Sequence, residues 1–246
     1  RAKITIANKN PLEGALDEIL PRKNSLVRPP VANIDAIVIV AAVACPQPDF
    51  FLIDKLIAMA ENEKIEVIIA ANKTDLQSAD EITTIYSSAG YKVIPVCAKT
   101  GMGIDELKEL ISGKITAFAG NSGVGKSSIL NYFGFNLETG NVSKIERGKH
   151  TTRHVELLPL GSGGFVMDTP GFSLLDINNI KADKLKELFI EFFPYNDLCR
   201  FSGCNHFNTK PSACAVAKAV EEGIISKSRY QSYTEIYDVL KDIKDW

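Results

Sequence analysis

Ile115–Ser128 reads Ile-Thr-Ala-Phe-Ala-Gly-Asn-Ser-Gly-Val-Gly-Lys-Ser-Ser. Ile115 to Ala119 is short, apolar and rich in strand formers. It runs into Gly120-Asn121-Ser122-Gly123-Val124-Gly125-Lys126-Ser127, and a helical pattern follows. A glycine-rich turn between a buried strand and a helix lets successive backbone N–H groups face one anion, and the helix N-terminus adds positive dipole. The spacing Gly-x4-Gly-Lys-Ser is that of a phosphate loop. Lys126 is expected to bridge the β- and γ-phosphates, and the Ser127 hydroxyl to coordinate Mg²⁺, with Ser128 completing the turn.

Outward from this loop, apolar strands alternate with helical spacing. Ala36 to Ala44 is apolar on both faces, and Glu66 to Ala71 and Tyr91 to Val96 are further buried strands. Between them, Phe51 to Ala60, Ala79 to Ser88 and the face Ile104, Leu107, Leu110, Ile111 have helical period. This alternation predicts an α/β domain, a mostly parallel sheet with helices on both faces. Val155 to Pro159 and Phe165 to Met167, joined by Gly161-Ser162-Gly163-Gly164, read as a hairpin. Lys181 to Phe193, Ala215 to Glu222 and Tyr230 to Ile243 read as helices. At the other end, Lys3 to Ala7 reads as an exposed strand broken by Asn8-Lys9-Asn10-Pro11.

Two loops at strand ends carry a base-reading signature. In Asn72-Lys73-Thr74-Asp75 the Asp75 carboxylate can accept from the N1–H and the exocyclic amine of guanine, a pair that adenine does not offer. Discrimination then rests on leaving Asp75 unpaired with the wrong base. Asn72 and the Lys73 stem are expected to support the loop and the ring. Cys97-Ala98-Lys99 ends the next strand and offers the Ala98 N–H to the guanine O6. With the phosphate loop, the expected ligand is GTP or GDP.

Asp168-Thr169-Pro170-Gly171 follows the hairpin strand. Asp168 is expected to hold Mg²⁺ through water and the Gly171 N–H to sense the γ-phosphate. Between phosphate loop and hairpin, Arg147-Gly148-Lys149-His150-Thr151-Thr152 holds the candidate switch threonine, Thr152 with Thr151 as second choice, as a further Mg²⁺ ligand. From Lys144 to His154, Lys144, Arg147, Lys149 and Arg153 stand against Glu146, a local net charge of +3 suited to a phosphate-rich partner. Phe172 stands where many GTPases place a water-orienting glutamine. A phenyl ring cannot orient water, so intrinsic hydrolysis is expected to be slow, with His150 or a partner's group supplying that role.

The motifs stand in an altered order. The base-reading loops at 72 and 97 precede the phosphate loop at 120, yet the cyclic order of a GTPase is intact, which predicts a circular permutation. Cys199, Cys204, His206 and Cys214 follow as Cys-x4-Cys-x-His-x7-Cys. Four N/S ligands suit a closed, structural Zn²⁺ site. From Cys199 to Arg229 the basic residues Arg200, Lys210, Lys218, Lys227 and Arg229 outnumber Glu221 and Glu222, suggesting a contact with RNA.

These motifs together resemble the bacterial RsgA (YjeQ/YloQ) family of small ribosomal subunit biogenesis GTPases. Arg28-Pro29, Ala32-Asn33-Ile34-Asp35 and Arg229-Tyr230-Gln231-Ser232-Tyr233 are similar to it as well. The resemblance implies three parts: residues 1–30 as the remnant of an N-terminal OB-fold with linker, 31–178 as the permuted GTPase domain, and 179–246 as a C-terminal helical zinc-binding domain. It implies GTP hydrolysis stimulated by the small (30S) subunit, contact with its 16S rRNA, release on hydrolysis, a cytoplasmic location and a monomer.

Composition sets the outer limits. The chain has 246 residues, 45% hydrophobic and 24% charged, with 28 Lys plus Arg against 30 Asp plus Glu. A net charge of -2 gives no global polyanion-binding signature. The apolar run Ala36 to Cys45 is too short to span a bilayer. Five cysteines are too few for a disulfide scaffold. Two rivals share these features: a signalling or transport GTPase whose zinc module docks a protein, and a nucleotide-gated RNA chaperone. Salt-sensitive binding to RNA separates the ribosomal and chaperone readings from the protein-docked one.

Overall fold

The computed structural model describes residues 2–9, 12–26, 31–137, 156–168, 177 and 179–243. Its centre is a six-stranded sheet. In chain order the strands are β5 (Ala36–Ala42), β6 (Glu66–Asn72), β7 (Lys92–Pro95), β8 (Ile115–Ala119), β9 (Glu156–Pro159) and β10 (Phe165–Asp168). In space they run β7-β6-β5-β8-β10-β9. All neighbours are parallel except β10 and β9, which form the expected hairpin.

The side-chain alternation of β5 explains the layers. Ile37, Ile39 and Ala41 face one core with α1 (Phe50–Asn62) and α2 (Asp80–Ser88). Val38, Val40 and Ala42 face a second core with α3 (Ile104–Ile111) and α4 (Lys126–Tyr132). Every residue of β5 is buried, as a strand covered on both faces requires. Because β5, β6, β7, β8 and β10 are parallel, their carboxyl ends lie along one edge, where open α/β sheets bind ligands.

Near the N-terminus, β1 (Ala2–Lys9) and β2 (Leu12–Ile19) form an antiparallel hairpin with two register irregularities. The second of these strands is not evident in the sequence pattern, because Leu12–Ile19 mixes charged and apolar residues without strict alternation. A short pair follows, β3 (Ser25–Leu26) with β4 (Val31–Ala32).

The C-terminal region has its own core, in which Leu185, Phe189, Phe192, Val216, Tyr233 and Ile236 are buried. Its α-helices are α5 (Ala215–Glu221) and α6 (Lys227–Leu240). The helix expected over Lys181 to Phe193 is instead two 3-10 segments, Ala182–Glu187 and Ile190–Leu198. Two causes are visible. Pro194 lacks an amide donor and its ring conflicts with α-helical geometry. The i→i+3 bonds Leu188 N to Leu185 O (3.0 Å) and Phe192 N to Phe189 O (2.8 Å) also align both pairs toward the core.

A buried cluster of charges ties this region to α1. Arg229 of α6 is fully buried. Its Nη1 donates to Asp54 Oδ1 of α1 at 2.8 Å, while Nε and Nη2 grip Glu191 at 2.7 and 2.8 Å. The guanidinium also lies 4.6 Å from the Phe189 ring centroid. Arg229, counted above among residues for RNA, is therefore spent inside the protein, and Lys218 pairs with Glu222 at 3.7 Å.

Candidate functional site

The phosphate loop leaves β8 and enters α4, as its sequence requires. Gly120 has φ +134, and a Cβ there would sit 2.2 Å from the Val40 carbonyl oxygen. Gly125, the residue before α4, has φ +98, and its Cβ would meet Asn72 Nδ2 at 2.2 Å. Only glycine fits both places. Lys126 Nζ donates to the carbonyls of Gly120 (2.8 Å) and Asn121 (2.7 Å), and burial pulls its pKa down.

Asn72 ties the two halves of the site together. It is buried at the end of β6. Its Nδ2 donates to the Val124 carbonyl at 2.8 Å, and its Oδ1 accepts from Ala98 N at 3.1 Å. One amide thus holds the phosphate loop against the loop after β7. Lys73, at φ +69, donates through Nζ to the Cys45 carbonyl. Thr74 Oγ1 donates to Val96 O at 3.0 Å. Asp75 Oδ1 accepts from the Cys97 thiol at 3.4 Å, and its Oδ2 lies 3.6 Å from Lys99 Nζ. Asn72, Lys73, Asp75, Ala98, Lys99, Gly125 and Ser128 line a cleft of about 370 Å³, within the usual range for a small-molecule site.

The structure brings the base-reading and phosphate-loop residues to one edge. Asp168 ends β10, and β10 runs parallel to β8, so its end lies on that edge too. His150, Thr152, Gly171 and Phe172 lie outside the described residues. Sequence reasoning missed Asp49. It caps α1 by accepting from Leu52 N (3.0 Å) and also accepts from Asn121 Nδ2 of the phosphate loop (3.1 Å). An aspartate directly before a helical pattern signals the cap, but nothing in the pattern signals its second bond.

Cys199, Cys204, His206 and Cys214 form the second candidate site, their ligand atoms all within 4.8 Å of one another. His206 Nδ1 lies 3.5 Å from Cys199 Sγ and 3.4 Å from Cys214 Sγ, and those two sulfurs are 3.9 Å apart. A tetrahedral zinc with ordinary bond lengths gives edges of roughly 3.5 Å for N···S and 3.8 Å for S···S. The donor set and spacing fit one metal ion, consistent with zinc. Backbone amides point at each sulfur: Ala215 N at Cys199 (3.3 Å), His206 N at Cys204 (3.4 Å) and Ala217 N at Cys214 (3.4 Å). Burial, reinforced by Lys186, lowers the His206 pKa to about 4, so its imidazole is neutral and able to ligate. Burial pushes the Cys214 thiol up to about 12, a penalty on the thiolate that a bound cation offsets.

Comparison with known proteins agrees with this geometry. Residues 19–178 match the RsgA GTPase family model. The chain belongs to the RsgA GTPase family. A small ribosomal subunit biogenesis GTPase RsgA from Ruminiclostridium cellulolyticum is 50% identical over 238 residues, covering 95% of this chain and 77% of that protein. The RsgA of Caldanaerobacter subterraneus is 46% identical over 250 residues, 99% of this chain and 82% of its own length. Among solved structures, YjeQ from Thermotoga maritima superposes with a TM-score of 0.81 at 40% identity, covering 94% of this chain and 80% of that one. YloQ, described as a circularly permuted GTPase, gives a TM-score of 0.78 at 34% identity, with 99% and 80% coverage. The RsgA fold, with base-reading loops ahead of the phosphate loop in the chain, is thus the permuted GTPase that the motif order implies. Among the described residues no helix is long and apolar enough to cross a membrane.

Proposed function

We propose that this chain hydrolyses GTP in the maturation of the small ribosomal subunit, that the subunit stimulates hydrolysis, and that hydrolysis releases the protein. Its membership in the RsgA family supports the enzyme class and the partner. The observation that carries the nucleotide reading is Asn72, which holds the phosphate loop against the Ala98 loop at the cleft that Asp75 also lines.

In this reading Asp75 accepts from guanine N1–H and the exocyclic amine, and Ala98 N faces O6. The amides of residues 122–128 and Lys126 face the phosphates and stabilise the charge that develops as water attacks the γ-phosphate in line. No covalent intermediate is required. Ser127, in the first turn of α4, and Asp168, at the end of the strand beside β8, supply hard oxygen donors suited to Mg²⁺. Thr152 is the proposed third contributor and His150 the proposed water-positioning group. Bound Mg²⁺ would supply charge neutralisation at the β- and γ-phosphate oxygens. The Cys199, Cys204, His206 and Cys214 site holds a structural zinc, and the basic residues left exposed, Arg200 and Lys210 among them, face 16S rRNA.

The test is GTP turnover by the chain alone and with purified small subunits, with ATP as control. Slow GTP turnover that rises by orders of magnitude with subunits is the expected result, since completion of such a site by a partner is worth up to about 10⁵-fold. An unchanged rate removes the subunit as the activating partner. Equal turnover of ATP refutes the base reading.

A further inference from the structure

The histidine of the metal cluster is held in an unfavourable backbone shape. His206 has φ +56 and is fully buried. A non-glycine residue stays in that region only when its surroundings over-determine it. Three side chains do so here. Asn196 Oδ1 lies 2.9 Å from His206 Nε2. This assigns the proton to Nε2 and leaves the Nδ1 lone pair facing the sulfurs. The Tyr230 hydroxyl donates to the His206 carbonyl at 2.7 Å, and the Tyr233 hydroxyl donates to the preceding carbonyl, that of Asn205. Buried ring contacts fix both tyrosines: Phe192 lies 5.0 Å from Tyr233 and 6.4 Å from Tyr230, centroid to centroid.

The elements that carry these residues are clamped by one side chain. Tyr230 and Tyr233 are on α6, beside Arg229. Asn196 is on the 3-10 segment that also carries Glu191 and leads into Cys199. Arg229 grips Glu191 through two nitrogens and Asp54 of α1 through the third. Arg229 therefore joins α6 both to the segment that carries Asn196 and to α1.

We propose that Asn196, Tyr230 and Tyr233 are the positioning residues of the metal centre. Through Arg229, metal binding and the docking of α6 on α1 form a single linked equilibrium. The proposal rests on the zinc reading above. A metal ion needs His206 in its left-handed shape; that shape needs the two hydroxyls; and the hydroxyls are in place only when α6 is docked. By reciprocity, a change that loosens α6 from α1 must weaken the metal, and removal of the metal must loosen α6.

The experiment is zinc competition against a chromogenic chelator, run on the reduced full chain, with cobalt(II) absorption as a second readout of tetrahedral geometry. The doubly substituted Tyr230→Phe/Tyr233→Phe keeps the rings and removes only the hydroxyls. It is expected to lose about 10- to 100-fold in zinc affinity, the usual size of an outer-shell effect, and Asn196→Ala to do the same. Asp54→Asn, which touches no residue of the metal cluster, is expected to weaken zinc by at least about 5-fold through linkage. Zinc affinity within twofold of the parent in both the tyrosine variant and Asn196→Ala overturns the positioning role. Unchanged zinc affinity in Asp54→Asn overturns the linkage. Should the tyrosine variant fail to fold, Asn196→Ala alone decides the first point. A parent chain that binds no zinc at one ion per molecule refutes the metal reading itself, a different and earlier failure.

Discussion

Replacing Arg229 by Met removes the guanidinium that Asp54 and Glu191 share and leaves two carboxylates in the interior. Both are buried, with side-chain exposures of 0% and 8%. Breaking a buried ion pair from one side costs about 3–5 kcal/mol. For each carboxylate the cost has an independent ceiling. A stranded carboxylate escapes by taking up a proton, which at pH 7 costs about 4 kcal/mol from an ordinary pKa near 3.9. At pH 5 the same protonation costs only about 1.5 kcal/mol. Burial already holds Asp54 above its ordinary value, and Arg229 is the largest influence pulling it down. The variant therefore raises the folded-state pKa further. The penalty is full above that raised pKa and fades as pH falls toward the unfolded value. For a chain of this size, about 2–4 °C is lost per kcal/mol, so Arg229→Met should melt roughly 6–20 °C lower at pH 7, with less than half that deficit at pH 5. Thermal unfolding of the metal-saturated chain, followed by circular dichroism at both pH values, measures this. The triple variant Arg229→Met/Asp54→Asn/Glu191→Gln removes the stranded charges and should recover much of the loss. A melting point within 2 °C of the parent at pH 7, or a deficit that does not shrink at pH 5, refutes the reasoning.

Three further outcomes follow from the sites. Gly125→Ala forces a Cβ to within 2.2 Å of Asn72 Nδ2 at φ +98, and strain of about 1–3 kcal/mol should cost about 5- to 150-fold in affinity for a fluorescent GDP analogue; parental affinity would show that the loop tolerates another shape. Asp75→Asn removes two charge-assisted hydrogen bonds worth about 1.5–3 kcal/mol each, so GDP binding by calorimetry should fall about 10²- to 10⁴-fold while any residual ADP binding stays put. Zinc loading should release at least one proton near pH 7, from Cys214, whose thiol is pushed up to about 12, and none from His206, already neutral with a pKa of about 4. Zinc affinity therefore rises with pH, and calorimetry in buffers of different ionisation enthalpy counts the protons.

The strands of the central sheet were legible because their residues must satisfy two cores at once: Ile37 and Ile39 face α1 while Val38 and Val40 face α3 and α4, so no polar residue interrupts the run. The Cys/His spacing was legible because metal ligands gather within a short loop. What stayed hidden depends on partners distant in sequence. Arg229 reads as one more surface cation until Asp54 and Glu191, 175 and 38 positions away, close around it. Asn72 reads as part of a base loop, although its hydrogen bonds join Val124 and Ala98, a role visible only once β6, β7 and β8 are set along one edge. The 3-10 course of Ala182–Leu198 was hidden for a local reason: leucines and phenylalanines at three- and four-residue spacing suit an α-helix equally well, and Pro194 alone marks the difference.

The permutation leaves the site intact because, in a parallel sheet, each loop belongs to the carboxyl end of its own strand. What matters is which strands are neighbours in space. Chain order decides instead what lies beyond the sheet. Here the chain leaves β10 and continues into the region of the Cys/His cluster, so that region is joined covalently to the element bearing Asp168. It is also joined without covalent bonds to α1, through Arg229 and Asp54. The N-terminal cap of the same helix, Asp49, holds Asn121 of the phosphate loop. Asp49 and Asp54 lie little more than one helical turn apart, so α1 cannot shift at one of them without shifting at the other. Asn121 of the phosphate loop and Arg229 of α6 thus bond to one helix, the second through a fully buried ion pair. Such a contact does not stretch gradually, since a partly separated buried pair loses its attraction while its desolvation cost remains.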